Sequence, residues 1–203
     1  MKAENKDFFA EKAADYDTHK SRTQNVANIG RGMVKEVPFT KAMSVMDFGS
    51  GTGLLTSQIA PHVGKITAVD VSSSMNEVLR SKIDAIDCEL EIKELDLTKE
   101  TLDTTFDAIV SSMTIHHIEN PSELFKKFYS LLKDNGIIAI ADIDKEDGSF
   151  HTEDTGVFHL GFDRNEISAL AENAGFRDLE IQTVSVMEKP TGSYPVFLLT
   201  GRK

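Results

Sequence analysis

The sequence predicts an α/β fold, a mostly parallel sheet with helices on both faces, and three stretches carry that prediction. Val45 to Phe48 is a short apolar run broken only by Asp47. It passes through Gly49, Ser50, Gly51, Thr52 and Gly53 into Leu54, Leu55, Gln58 and Ile59 at helical spacing. Lys65 to Val69 forms a second apolar run that ends in Asp70, 21 residues after Gly49. Gly136 to Ile143 is almost continuously apolar, as a central parallel strand covered on both faces must be.

Strand, glycine loop and helix in that order open a nucleotide-binding βαβ unit. Glycines there permit φ > 0 and let a ligand lie directly on the backbone N–H groups at the helix start. The spacing is G-x-G-x-G, with Leu54 where a dinucleotide-binding G-x-G-x-x-G places its last glycine. A tight turn uses glycine for steric reasons alone, so the loop by itself has a bland reading. Asp70 stands where this kind of fold puts a carboxylate to accept both ribose hydroxyls, and that favours a ligand site.

The remaining elements follow from periodicity and punctuation. Asp7 to Asp17 carries Phe8, Phe9, Ala13 and Tyr16 on one helical face and predicts an N-terminal helix, a mobile lid or a plain surface helix. From Ser21 a second helix shows Val26, Ile29, Met33 and Val37 before Pro38 stops it. Pro61 limits the helix after the glycine loop. Ser72 to Ser74 offer caps for a helix with Met75, Val78, Leu79 and Ile83 on its apolar stripe. Leu90 to Leu95 alternates with charged neighbours like a strand near a sheet edge, and Asp96 at its end reads locally as a turn carboxylate.

Phe106 to Ser112 predicts a buried strand with Asp107 at its start. Asn120-Pro121 opens a helix whose Leu124, Phe128, Leu131 and Leu132 face the core, with Lys133 near its C-terminus and Asn135-Gly136 as its stop. Asp144 to Gly161 is polar and irregular. Asp163 then caps a helix that Gly175 terminates. Leu179 to Val186 and Val196 to Thr200 are joined by a link too short for a parallel crossover, which predicts antiparallel neighbours.

Composition bounds the function. A chain of 203 residues, 40% hydrophobic and 27% charged, suits one globular domain over residues 1–203. The N-terminus shows no apolar signal core, and no stretch approaches a membrane span. Cys88 stands alone, which excludes an intramolecular disulfide and a cysteine-rich zinc site and makes the cytoplasm the expected compartment. A net charge of −11 argues against a nucleic-acid partner and favours a small molecule.

DFGSGTG followed by VD at the end of the second strand resembles the class I S-adenosylmethionine-dependent methyltransferases. LDL (Leu95 to Leu97), FDAIVSSMTIHHI (Phe106 to Ile118) and LLKDNGIIAIADI (Leu131 to Ile143) extend the resemblance in order, and it covers the chain from Ala13 onward. It implies a Rossmann-like three-layer sandwich, with a seven-stranded, mostly parallel sheet whose last strand is antiparallel. It also implies S-adenosyl-L-methionine as cofactor, S-adenosyl-L-homocysteine as product, and a small-molecule acceptor methylated at O, N or C.

The implied cofactor residues run along the same motifs. Amides of Gly49, Ser50, Gly51, Thr52 and Gly53 would face the methionine carboxylate, and Asp47 the ammonium. Asp70, with Val71 and Met75 close behind it, would hold the ribose side. Asp96 would accept from the adenine amino group beside the Leu97 backbone, and Ser112 and Met113 would flank the cleft. Phe9, Ala13, Tyr16 and Asp17 resemble the family's lid pattern. That implies a lid within residues 1–37, with Tyr16 over the methionine end and residues 144–162 on the substrate side.

Methyl transfer from a sulfonium needs alignment, and a base only where the acceptor loses a proton. His117 and His159 are the candidate bases, each with a competing structural role. His151, Glu153, Asp154 and His159 match no tight ligand spacing, so no metal is expected. The family's N-P-P-[YFW] segment is missing after the fourth strand, which speaks against adenine-N6 or glutamine-amide methylation. Two rivals remain, an NAD-dependent dehydrogenase and a non-catalytic S-adenosylmethionine-binding domain. The glycine spacing and the terminal hairpin count against the first.

Overall fold

A computed structural model describes residues 10–151 and 156–203. Its seven strands are β1 (Ser44–Phe48), β2 (Lys65–Asp70), β3 (Glu89–Glu94), β4 (Phe106–Ser112), β5 (Leu132–Ile143), β6 (Arg177–Lys189) and β7 (Gly192–Arg202). They form one sheet in the order β3-β2-β1-β4-β5-β7-β6. The pairs from β3 to β5 are parallel, and β7 runs antiparallel to both β5 and β6. This is the predicted seven-stranded α/β sheet with its last strand reversed.

Successive strand residues point to opposite faces, and helices cover both. On one face Val45, Ile66, Val110 and Ala139 meet Ile29 and Met33 of α1 (Lys20–Glu36) and Leu55 and Ile59 of α2 (Leu54–Ile59). On the other, Met46, Ile109, Ile138 and Ile140 meet Phe125 and Phe128 of α4 (Pro121–Leu131) and Ile167 of α5 (Arg164–Ala174). α3 (Ser73–Arg80) follows β2, capped where the Ser72 side chain accepts the Met75 N–H. β3 is a sheet edge, and Lys65 and Lys93 pair with its Glu89 and Glu91 along it.

Three local readings need correction. No helix forms over the described part of the segment from Asp7 to Asp17: residues 10–15 are turns and Tyr16–Thr18 is a single 3-10 turn. Phe8 and Phe9 lie outside the described residues. α4 stops at Leu131, because Leu132 is buried as the first residue of β5 and tertiary pairing overrides the helical pattern. Lys133 therefore sits on that strand and pairs with Asp107 at 2.8 Å. β6 and β7 are longer than predicted, since polar residues on the outer strand β6 blur its period. Among the described residues no helix is long and apolar enough to cross a membrane.

Candidate functional site

β1 pairs with β2 on one side and β4 on the other, so the chain crosses over in opposite directions at this point. Such a switch opens a crevice beyond the carboxyl ends of the two strands. The loop there takes left-handed backbone at Gly49, Gly51 and Gly53, with φ of 69°, 53° and 83°. The Gly49 and Ser50 N–H groups donate to the Val69 carbonyl at 2.8 and 3.2 Å, which ties the loop to β2. A Cβ on Gly49 would lie 2.2 Å from the Thr114 side chain, whereas one on Gly51 would meet none of the described residues within 4 Å. One glycine is needed for packing and the other faces open space.

Two carboxylates frame this loop. Asp47 is buried, and its Oδ2 accepts the Thr56 hydroxyl at 2.6 Å. Its Oδ1 is buried with no hydrogen-bond partner among the described residues. Burial pushes its carboxyl up to about 7, Thr56 partly opposes this, and the charge of Asp70 adds to it. Asp70 accepts the Gly51 N–H on Oδ2 and the Ser72 N–H on Oδ1, both at 2.8 Å. A carboxylate offers about four lone-pair sites, so it can brace the loop and still receive a diol. Beyond it Val71 is exposed and Met75 is buried.

The other candidate residues follow β3, end β4 or lie in the N-terminal segment. Asp96 is a turn carboxylate: Oδ1 accepts the Thr98 N–H at 3.0 Å and Oδ2 pairs with Lys99 at 2.6 Å. Burial raises its pKa, but Lys99 and Thr98 outweigh that and leave it below the usual range. Leu97 is buried, with its carbonyl taking a hydrogen bond from Lys127. The Ser112 and Ser50 hydroxyls are buried without a partner among the described residues. Met113, at φ 55°, turns the chain sharply off β4 while its N–H donates to the Ala141 carbonyl.

Tyr16 is half-buried beneath the Arg22 guanidinium, 4.5 Å from the ring centroid. Burial raises its phenol pKa, Arg22 opposes this, and the charges of Asp70 and Asp17 add to it. Asp17 latches this segment to the glycine loop. Its Oδ1 accepts the Thr52 hydroxyl at 2.6 Å, and its Oδ2 pairs with Lys82, whose ammonium also donates to the Thr52 carbonyl. The family resemblance implied a place for Tyr16 over the cofactor but said nothing of Lys82.

Past Met113 the chain reaches a group of histidines. Buried His116 holds Asp142 of β5 through Nδ1, 2.7 Å from Oδ1, and through its N–H, 3.2 Å from Oδ2. Burial raises the pKa of Asp142, but His116 and backbone N–H donors bring it below the usual carboxylate range. The ring of half-buried His117 lies 4.3 Å from that of His116, and its Nδ1 lies 3.2 Å from the Gly156 carbonyl. His151 brings its ring within 5.1 Å of His116. Burial and then the neighbouring histidines hold His117 and His151 near 4, so both rings are neutral.

Of the two candidate bases, only His117 belongs to this group. His159 bonds the Ile118 carbonyl through Nε2 at 2.9 Å, and its backbone N–H donates to the His116 carbonyl. It holds the loop in place. The pairing of His116 with Asp142 and the approach of His151 to it were not foreseen, because these residues come together only through the sheet. Glu153 and Asp154, which the sequence grouped with His151, lie outside the described residues.

The sequence matches the family model described as a methyltransferase domain over residues 23–181. An uncharacterized methyltransferase of Schizosaccharomyces pombe is 33% identical over 156 residues, 68% of this chain and 55% of its own length. Phosphoethanolamine N-methyltransferase 1 of Zea mays is 29% identical, matching 80% of this chain and 35% of its own length. The chain thus spans about half of the yeast relative and about a third of the plant one. Among solved structures, a Haemonchus contortus phosphoethanolamine N-methyltransferase complexed with phosphomonomethylethanolamine and S-adenosylhomocysteine superposes with a TM-score of 0.76. It is 17% identical, and the match covers 97% of this chain and 59% of that one. Motif order, sheet order and these matches agree, and the chain belongs to the methyltransferase domain family.

Proposed function

We propose that this chain binds S-adenosyl-L-methionine in the crevice of β1 and β4 and passes its methyl group to O, N or C of a small molecule. The observation that carries this is Asp47. A carboxylate oxygen buried without a partner among the described residues, beside a glycine loop that they leave open at Gly51, suits a zwitterion with an ammonium and a carboxylate end. When bound, the cofactor supplies a methyl group on a sulfonium, which leaves S-adenosyl-L-homocysteine as product.

The residues of the chain then bind, orient and exclude water. Gly49, Ser50, Gly51, Thr52 and Gly53 hold the carboxylate end, Asp47 the ammonium, and Asp70 the ribose hydroxyls. Val71, Met75 and Leu97 offer apolar surface to the adenine, with Asp96 toward its amino group, while Ser112 and Met113 flank the cleft. Tyr16, latched by Asp17, covers the methionine end, and water exclusion supports alignment of the acceptor. His117 lies on the acceptor side with residues 144–162, and His159 shapes that wall. Residues 1–203 act as one domain in this reading, with the lid within 1–37.

Net charge and the relatives named for phosphoethanolamine favour a small acceptor, with an amine nitrogen as the first class to screen. The lone Cys88 and the lack of a membrane-crossing helix among the described residues fit a cytoplasmic setting. Calorimetric titration with S-adenosylmethionine, S-adenosylhomocysteine and NAD tests the reading. Both adenosyl ligands bind and NAD binds far more weakly. Asp70→Ala weakens the adenosyl ligands by about 1.5–3 kcal/mol, the range for hydrogen bonds to a charged group. Tighter binding of NAD overturns the proposal, and cofactor binding without turnover across an acceptor panel overturns its catalytic half.

A further inference from the structure

His116, His117 and His151 each present one ring nitrogen, and the three nitrogens lie within 4.8 Å of one another. We propose that they form a binding site for a divalent transition-metal ion of the zinc class. Imidazole nitrogen suits zinc, nickel, copper and iron, and three protein ligands with an open fourth position are the usual plan of a reactive zinc site. With zinc–nitrogen bonds of about 2.0–2.1 Å, ligand atoms sit roughly 3.3 Å apart around a tetrahedral ion. The present spacing would have to contract by up to about 1.5 Å to hold the ion.

The surroundings are those of a ligand set. His116 Nδ1 bonds the buried Asp142 carboxylate, so Nε2 is the nitrogen it offers, in the carboxylate–histidine–metal arrangement that fixes ring orientation and raises basicity. The Gly156 carbonyl beside His117 Nδ1 selects the tautomer whose lone pair is on Nε2. His151 Nδ1 is buried with no hydrogen-bond partner among the described residues, a cost that a metal bond would remove. Lys189, anchored on the Phe150 carbonyl, is a positive neighbour, and Asp142 supplies the opposing negative charge inside the fold. The site lies two residues beyond Thr114, whose hydroxyl bonds the glycine-loop carbonyl of Gly49. A role for its fourth position in holding an acceptor heteroatom rests on the methyltransferase reading, whereas metal binding does not.

The test uses the full chain, stripped with chelator and titrated with zinc sulfate, then loaded with cobalt(II) as a spectroscopic probe. One equivalent of zinc binds, zinc raises the melting temperature, and cobalt gives the intense visible bands of a low-coordinate nitrogen site. His151→Gln and His117→Gln each weaken zinc at least 100-fold, and Asp142→Asn weakens it about 10–100-fold, the range for such outer partners. Asp142→Asn can fail to fold, so the decision rests on His151→Gln, a change in an irregular segment. Zinc affinity unchanged in folded His151→Gln overturns the site, and so does wild-type protein that takes up no zinc. S-adenosylmethionine titrated into the zinc-free His151→Gln protein separates the two proposals, because its binding holds there even if the metal site fails.

Discussion

Asp47 has one oxygen bonded to Thr56 and the other buried without a partner among the described residues, so its ionised form is costly until a cation arrives. Its pKa rises from 3.8 to about 7 on folding. The native state therefore holds a proton that the unfolded chain has released. The stability this proton represents is complete below pH 3.8 and declines as pH rises to about 7, by about 1.4 kcal/mol per unit at most. Asp47→Asn matches wild type at pH 4 and melts higher at pH 8 without cofactor, which thermal denaturation at the two values checks. The same variant loses affinity for S-adenosylmethionine at pH 8, where wild type offers a full carboxylate. Asp47 and Asp70 stood out in the sequence because Asp47 interrupts the apolar run that leads into the glycine loop and Asp70 ends the next apolar run. The His116–Asp142 pair did not, since 26 residues and a change of strand separate its members.

The segment from residue 10 to Thr18 is held by a few contacts rather than by a helix of its own. Asp17 supplies two of them, to Thr52 and Lys82, with side chains about 30% exposed. A pair this open is worth no more than about 1 kcal/mol, so the latch is easily released. Asp17→Ala thus speeds hydrogen exchange at residues 13–18 while the sheet keeps its protection. It weakens the cofactor about three- to fivefold, from the same 1 kcal/mol. Unchanged exchange would mean that Ala13 and Tyr16 hold the segment without the latch. The helical pattern around Ala13 and Tyr16 suggested a helix, yet the Asp17 carboxylate is drawn to Thr52 and Lys82 and the Thr18 N–H and hydroxyl close a single turn on the Asp15 carbonyl. Helix starts were easier to see than ends. Asn120 caps α4 as expected, but its stop was set by β5, which local spacing does not show.

At the scale of the molecule, strand number and the reversed last strand could be read from the chain, because the short turn-rich link before the last strand admits only antiparallel neighbours. Strand order could not be read, since any parallel crossover of sufficient length satisfies the same pattern. The order has a consequence for how the chain is made. β6 pairs only with β7, and β7 follows it, so β6 emerges before it has any place in the sheet. Until then the side of β5 that will face β7 stays open, a row of backbone groups ready to pair with another chain. A chain cut after Thr191 should keep β6 unprotected in hydrogen exchange and aggregate through β5, and a monomeric product with β6 protected would refute this. During synthesis, the final strand is not added at the rim but slipped between two neighbours made earlier, so the sheet remains unfinished until that strand has left the ribosome.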